Sequence, residues 1–371
     1  MNEYPLITKK NVRRNRSLKS IQKEYHKSHR GIKSHFPKAR ISKVVRLRDR
    51  DYFFDFTDKI VEKKEPNKLT AEQLLETLSS MNISGLGGSG FPAFRKVQTV
   101  LKSAAASKYL IINAVECDPG LLHDAWLVKN HLPKLEAAIR LLAEAIPFQK
   151  IILATKDAAT ATAKGYEIAV VPNRYPMGAE KILAEHVLGI SIAPTEIPAE
   201  KGILIMNVQT LYAIYEAVYL SRPASSRLVT VADLATGEAV IARVNLGTSV
   251  SELIDKTLKK HNNQPVYAGG GILSASKVVP GEKVSVKTNF IAYGKAAEYD
   301  QAAKCKNCGA CARKCPMKIK VNKIVQLHEK HNNNVREFHP ELCLRCGSCT
   351  YHCAAGKNIM EIVTAAGGSV K

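Results

Sequence analysis

Cys305-Lys-Asn-Cys308-Gly-Ala-Cys311-Ala-Arg-Lys-Cys315-Pro316 and Cys343-Leu-Arg-Cys346-Gly-Ser-Cys349-Thr-Tyr-His-Cys353 place eight of the chain's nine cysteines on one repeated spacing, C-x2-C-x2-C-x3-C. Three thiolates at two successive x2 gaps can cap three irons of a [4Fe–4S] cubane, while the fourth cysteine of each run leads away toward a second cluster. On that logic Cys305, Cys308, Cys311 and Cys353 hold one cubane, and Cys343, Cys346, Cys349 and Cys315 hold the other. Zinc sites favour paired C-x2-C knuckles with four ligands each, which would leave a surplus thiolate in each run. Ala354 follows the second run where the motif commonly carries Pro, which bears on that cluster's surroundings and not on its ligation. Cysteines used in this way imply a reducing, cytoplasmic setting rather than a disulfide-stapled secreted fold.

The remaining 300 or so residues, of a total of 371, are enough for two further domains, and the 45% of hydrophobic residues allow each a core. No run of about 18 apolar residues is present to span a bilayer, so any membrane association is expected through a partner. The formal net charge of +22 is concentrated at the start, where residues 1–50 hold 16 Lys and Arg against 3 acids. That stretch shows no sustained period of 3.6 or 2 and reads as an extended or weakly helical basic arm over 1–68. A solvated tail, docking to an acidic partner subunit, RNA binding and an anionic membrane surface are its possible uses. The arm lacks interleaved aromatic platforms, which argues against nucleic acid and leaves a partner surface. Its Arg- and Ser-rich, acid-poor start also loosely resembles an organellar transit peptide.

From residue 70 the pattern becomes regular. Thr70 is positioned to cap a helix, a glycine loop follows at Gly85 to Gly90, and helical sequence resumes after Pro92. Apolar runs at Tyr109–Ala114, Ile151–Ala154, Ile168–Val171 and Ile203–Met206 alternate with helical stretches near 133–145, 178–188 and 210–220. Such alternation predicts an α/β layer on a largely parallel sheet, over residues 69–225. Near 226 the rhythm changes to short strands at Leu228–Val231 and Ala239–Val244, a helix beginning at Ser249 or Ser251, and a strand at Val266–Ala268, a small α+β module over 226–297. Gly269, Gly270 and Gly271 read as a tight turn. The cysteine domain occupies 298–371.

Gly85-Leu-Gly87-Gly88-Ser-Gly90-Phe91-Pro92 contains a formal G-x-G-x-x-G, yet a helix precedes it and Phe-Pro ends it, so it lacks the strand-loop-helix setting of an ordinary dinucleotide fingerprint. Crowded glycines nonetheless expose backbone N–H groups and let a flat or phosphorylated ligand approach, with the next helix N-terminus as an anion site.

This loop, with Lys96, resembles the G-x-G-G-x-G-F-P signature of the C subunit of the Rnf electron-transport complex and of the flavin-carrying, NADH-binding subunit of complex I. Further segments agree in order. Asn113-Ala-Val-Glu116-Cys-Asp118-Pro119 resembles the acidic N-x-x-E-x-E-P stretch, Tyr175-Pro-Met-Gly178-Ala-Glu180 the Y-P-x-G-A-E, and Asn207-Val-Gln-Thr210 the N-V-x-T of that family. The module at 226–297 is similar to its soluble-ligand-binding β-grasp domain. The resemblance covers about residues 80–365.

The resemblance implies a Rossmann-like FMN- and NADH-binding domain, a β-grasp module and an α-rich two-cluster ferredoxin domain. It implies that Gly85, Gly87, Gly88 and Gly90 line FMN and the nucleotide, that Phe91 stacks on the dinucleotide and that Lys96 faces phosphate. Glu116 and Asp118, with Asn113 between them and the sheet, fall on the ribityl or nicotinamide side. Tyr175, Gly178 and Glu180 border the isoalloxazine, and Asn207 and Thr210 hold the FMN phosphate region. Glu116, Asp118 and Glu180 are the expected catalytic residues. Singly, each has a bland alternative: a carboxylate can cap a helix, a tyrosine can belong to the core, and a lysine can be solvated. Cys117 reads as a small buried residue.

These parts fit together as one electron path, in which hydride passes from NADH to the flavin and single electrons then pass through two clusters to a partner. The barrel-like region that precedes the nucleotide domain in full-length Rnf proteins of this type has the basic arm in its place, which favours a cytoplasmic input subunit of a multi-subunit oxidoreductase. The alternatives are the membrane Rnf complex itself, a cobalamin reductase, a flavin-less ferredoxin-like carrier, and an RNA-associated iron–sulfur protein.

Overall fold

The computed structural model describes residues 48–55, 68–157, 165–193, 195–258, 264–295, 299–300, 302–332 and 334–367. Most of the basic arm therefore lies outside the described residues.

The first domain opens with α1 (Ala71–Ser80), capped as the sequence predicts: Thr70 accepts from the Gln73 N–H while the Gln73 side chain returns the bond to Thr70. The apolar residues Leu74 and Leu78 recur at four-residue spacing and bury one face. The glycine loop leads into α2 (Ala93–Lys102), and the chain then alternates β2 (Tyr109–Ala114), α3 (His123–Ala145), β3 (Lys150–Thr155), β4 (Glu167–Val170), α4 (Glu180–Leu188), β5 (Ile203–Asn207) and α5 (Val208–Leu220). All pairings in this sheet are parallel, in the order β4-β3-β2-β5. The central strands are apolar on both faces, with Leu110, Ile111, Ile112, Leu204 and Ile205 buried, because helices cover both sides. The long helix α3 begins ten residues before the expected stretch. Pro133 does not start it but kinks it, with His131 held at φ −131°, ψ 20°.

The second domain is a mixed sheet of order β1-β7-β6-β10-β8-β9, formed by β1 (Arg48–Asp55), β6 (Ser226–Asp233), β7 (Glu238–Asn245), β8 (Val266–Gly269), β9 (Ser276–Lys277) and β10 (Phe290–Tyr293). The β6–β7 hairpin is antiparallel, β10 runs parallel to β6, and α6 (Val250–Leu258) packs Val250, Leu253 and Ile254 onto Val229, Val231 and Ile291. This is the β-grasp arrangement the sequence pointed to. A strand from the stretch assigned to the arm adds to it, β1 pairing in parallel with β7.

The third domain carries only short helices, α7 (Ala310–Arg313), α8 (Val321–Glu329), α9 (Ser348–Tyr351) and α10 (Ile359–Gly367). Ile324, Val325, Ile359 and Val363 pack around the cysteines themselves. The observed whole is thus α/β with a β-grasp module and an α-rich cysteine domain, and among the described residues no helix is long and apolar enough to cross a membrane.

Candidate functional site

In the strand order β4-β3-β2-β5 the chain winds to one side of β2 and then returns to the other, so the topological switch lies between the carboxyl ends of β2 and β5. Ligands of open α/β sheets bind at that crevice. Asn113 near the end of β2 and Asn207 at the end of β5 stand there.

The four segments singled out in the sequence converge on this point. The glycine loop closes on itself through Gly85 N–H to the Phe91 carbonyl, 2.8 Å, and Gly90 N–H to the Gly85 carbonyl, 3.0 Å. Gly88 and Gly90 adopt φ of +109° and +67°, which side chains rarely tolerate. The Leu86 N–H donates to Thr210 Oγ1 at 2.9 Å, and a Cβ on Gly87 would sit 3.1 Å from that of Asn207, so the loop rests on the start of α5. Asn207 caps α5 and donates from Nδ2 to Asp124, 2.7 Å. Asn113 donates to the Gly178 carbonyl at 2.9 Å, joining the β2 end to the Tyr175–Glu180 segment. Phe91, at the end of the loop, is exposed.

The charged residues are engaged with one another. Lys96 pairs with Glu180 at 2.5 Å and donates to the Ile205 carbonyl at 3.1 Å. Glu116 accepts the Asp124 N–H at 2.9 Å and so caps the start of α3. Asp118 is buried and accepts from Gly120 N–H at 2.9 Å and Ile272 N–H at 3.1 Å; burial pushes its pKa up to about 6 against those hydrogen bonds. Cys117 is half-buried against the first domain's core, and desolvation first pushes its thiol up to about 12, as expected of an inert packing residue.

Beneath these lies a polar network the sequence reading did not pick out. Asp124 is buried, its Oδ1 has no hydrogen-bond partner among the described residues and lies 3.8 Å from His123 Nε2, and desolvation together with Glu116 raises its pKa to about 8. His123 is buried against Thr230 at 3.1 Å and kept neutral, its pKa driven down to about 3 by desolvation first and Arg227 second. The Arg227 guanidinium, wholly inside, donates to the carbonyls of Leu86 (3.0 Å), Ser285 (3.3 Å) and Val286 (2.5 Å) and to Asn289 Oδ1, tying the glycine loop to the β-grasp module. Asp124 stands eight residues after Glu116 in the acidic stretch, a signal that was there to read; an arginine inside an apolar strand carries none.

Gly271, read from sequence as a turn, has a sharper reason. A Cβ there would lie 2.1 Å from Asp118 Oδ2. The same loop reaches the cysteine domain, for a Cβ on Gly347 would lie 2.0 Å from the Leu273 carbonyl oxygen. Tyr175 closes the junction by donating its hydroxyl to the Cys346 carbonyl at 2.6 Å. All three domains meet here, with the second cysteine run nearest the switch-point crevice.

The two cysteine runs share one local conformation. Asn307 and Arg345 have φ of 50° and 52°, and each donates its N–H to the preceding Cys305 or Cys343 Sγ at 3.4 Å. Cys315, Cys343, Cys346 and Cys349 line one hollow, and Cys305, Cys308, Cys311 and Cys353 line another. Each hollow thus draws its fourth thiol from the other run. Burial first and repulsion between thiols second raise Cys311 and Cys346 to about 12 and Cys349 well above its usual value, and burial raises Cys343 and Cys315. Ionising the four raised thiols of the first-named hollow together calls for cationic metal among them, and in both hollows the donor set is all sulfur, which fits an iron–sulfur cluster. Among the described residues no three Cys, His, Asp or Glu side chains close on a point as a single-ion site would.

Two family models match parts of the chain. Residues 78–216 match the Nuo51 FMN-binding domain and residues 304–357 the 4Fe-4S dicluster domain. The chain is 31% identical over 261 residues to the C subunit of the ion-translocating oxidoreductase complex of Pseudomonas aeruginosa, covering 66% of this chain and 33% of that protein. It is 29% identical over 265 residues to the protein of the same description from Haemophilus influenzae, covering 68% of this chain and 32% of that protein. The chain therefore spans about a third of the length of these curated relatives. Its fold is shared with a chain of the NAD+-reducing [NiFe]-hydrogenase in the H2-reduced state, with a TM-score of 0.56 at 19% identity over 81% of this chain and 62% of that one.

Proposed function

We propose that this chain, an electron-transfer flavin and iron–sulfur protein related to the C subunit of ion-translocating oxidoreductase complexes, oxidises NADH at FMN and delivers electrons through two [4Fe–4S] clusters to a partner protein. It would do so as the input subunit of a larger oxidoreductase, cytoplasmic in location and membrane-associated only through that complex. When bound, FMN exchanges a two-electron hydride for single electrons, which is the form cubane clusters carry.

The chain's own residues supply position and exclusion of water. The glycine loop from Gly85 to Gly90, with Asn207 and Thr210 beneath it, would hold the phosphate and ribityl side, next to the positive end of α5. Asn113, Tyr175, Gly178 and Glu180 would border the ring, and Phe91, exposed beside the crevice, is available to stack on the dinucleotide. Lys96 and Glu180 neutralise each other within the site, so a bound phosphate would compete with Glu180 for the ammonium. Asp124, raised to about 8 by burial, stays mostly protonated at neutral pH and so adds little charge that repels an anionic nucleotide, whereas Asp118, at about 6, is mostly ionised there.

The observation that carries the reading is the contact of the flavin-side segment with the second cysteine run, through Tyr175 and the Cys346 carbonyl at 2.6 Å. It supports an order of transfer in which the cluster of Cys343, Cys346, Cys349 and Cys315 receives electrons first and the cluster of Cys305, Cys308, Cys311 and Cys353 second. Anaerobic reconstitution followed by analysis of iron, acid-labile sulfide and flavin tests the cofactor set. Stoichiometric FMN with two magnetically interacting clusters in the reduced protein is expected, whereas bound zinc or an absence of flavin would overturn it.

A further inference from the structure

The buried seam between α3 and α5 carries polar atoms that the protein itself does not serve. Gln209 and Tyr212, three residues apart and so on one side of α5, are only 2% and 5% exposed, and neither Gln209 Nε2 nor the Tyr212 hydroxyl has a hydrogen-bond partner among the described residues. Asp124 on α3, 7% exposed, adds a third such atom in its Oδ1. Buried polar atoms are nearly always paired, with protein or with ordered water, and three in one seam give a chain of waters the polar partners it needs. The three atoms follow one another along the helices. Asp124 is held by Asn207 Nδ2, 2.7 Å away, and Asn207 lies directly under Gly87 of the glycine loop. Gln209 comes next, its Oε1 taken by the Leu228 N–H at 2.6 Å and its Nε2 left over. Tyr212 then packs on His131 of α3, with ring centroids 5.2 Å apart. At His131 the helix kinks, and exposed Pro133 has no N–H to return to the carbonyl four residues back, so the backbone is opened to water at that end.

We infer that water held along this seam, from Asp124 past Gln209 and Tyr212 to His131, is the exit path for the proton set free in the crevice when NADH is oxidised. The inference rests on the NADH reading above and adds to it the route of the proton. Oxidation of one NADH yields NAD+, two electrons and one proton; the electrons pass singly to two oxidised clusters, and the proton must leave separately. A dinucleotide lying on the glycine loop would cover the open side of the crevice, which leaves the seam beneath it. The groups that face the seam suit transfer. Glu116, His123 and Arg227 surround Asp124, whose carboxyl burial keeps largely protonated at neutral pH. His131 is held neutral, its pKa lowered to about 4 by desolvation first and then by Lys134 of α3 and Arg243 of β7, so one ring nitrogen accepts while the other donates.

The test uses the full chain with its cofactors and the variant Tyr212→Phe. That change removes only a hydroxyl that no described residue bonds, so a merely structural role predicts no effect. Protein reduced anaerobically with NADH is mixed with ferricyanide in weak buffer, and proton release is followed with a pH-indicator dye. Release should slow about ten-fold or more in Tyr212→Phe, and further in D2O, while the preceding bleaching of the flavin by NADH keeps its rate. Tyr109→Phe, at the end of β2 away from the crevice, should match wild type. Reduction with dithionite in place of NADH starts the same release, so failure with NADH alone counts against the NADH reading and not against the path. A crystal structure with ordered water should show it bridging Gln209 Nε2 and the Tyr212 hydroxyl. Equal proton release from wild type and Tyr212→Phe after dithionite reduction, or protein partners for both of those atoms, would overturn the inference.

Discussion

Gly271→Ala tests whether the β-grasp loop is built around the Asp118 carboxylate. The new Cβ would lie 2.1 Å from Asp118 Oδ2 and 2.4 Å from its Cγ, so the carboxyl or the loop must retreat by about an ångström to reach ordinary contact. Either movement breaks the bond from the Ile272 N–H to Asp118. Overpacking costs about 1–3 kcal/mol and a buried hydrogen bond to a charged group about 1.5–3, so the variant should lose about 3–5 kcal/mol. Gly270→Ala is the control, because its Cβ would meet nothing closer than Ser274 Oγ at 3.6 Å. Urea unfolding followed by the single tryptophan, Trp126, and by far-UV circular dichroism reads the difference. Asp118→Ala in the Gly271→Ala background removes the colliding atoms and should recover part of the loss, a non-additivity expected only of residues in contact. Equal stability of the Gly270→Ala and Gly271→Ala proteins, or strict additivity in the double variant, would refute the reasoning.

Asp124 gives a pH dependence of known sign. Its folded pKa of about 8 lies above the ordinary carboxylate value, so the folded state holds the proton more tightly and its stability falls as pH rises from about 4 to 8. Asp124→Asn should remove that slope, giving a stability advantage over wild type that grows between pH 5 and 8 in urea titrations; a constant difference would contradict it. Arg227→Lys keeps the charge but strands several of the carbonyls the guanidinium serves, and should cost about 3–5 kcal/mol with loosened flavin binding, measured by flavin fluorescence on dilution. Tyr175→Phe removes the hydroxyl bond to the Cys346 carbonyl and should slow cluster reduction in stopped flow while leaving flavin content intact; unchanged kinetics would remove Tyr175 from the route.

The elements most legible in the sequence were those whose pattern is local. Strands buried on both faces read as unbroken apolar runs, and Tyr109–Ala114 was placed to the residue. Thr70 announced its helix through its own capping chemistry. Of the helix His123–Ala145 only the part near 133–145 was legible, because Pro133 and the kink at His131 interrupt its period. The strands Arg48–Asp55 and Phe290–Tyr293 escaped notice; five of the first's eight residues are charged, the second is four residues long, and both form by pairing with distant strands. The same holds within the site. The glycine loop and acidic stretch were visible as motifs, whereas Arg227, Asn289 and the need for Gly271 arise only when the β-grasp module closes on the first domain.

The central claim, that electrons enter as hydride from NADH at a flavin and leave through the clusters, is tested most directly by one titration. The anaerobically purified protein is mixed with stoichiometric NADH, and with NADPH in parallel, while the visible spectrum is recorded. The account predicts loss of the yellow flavin band together with loss of the broad brown cluster absorbance on NADH addition. A brown protein without flavin, or a flavin unmoved by either nucleotide, would contradict it.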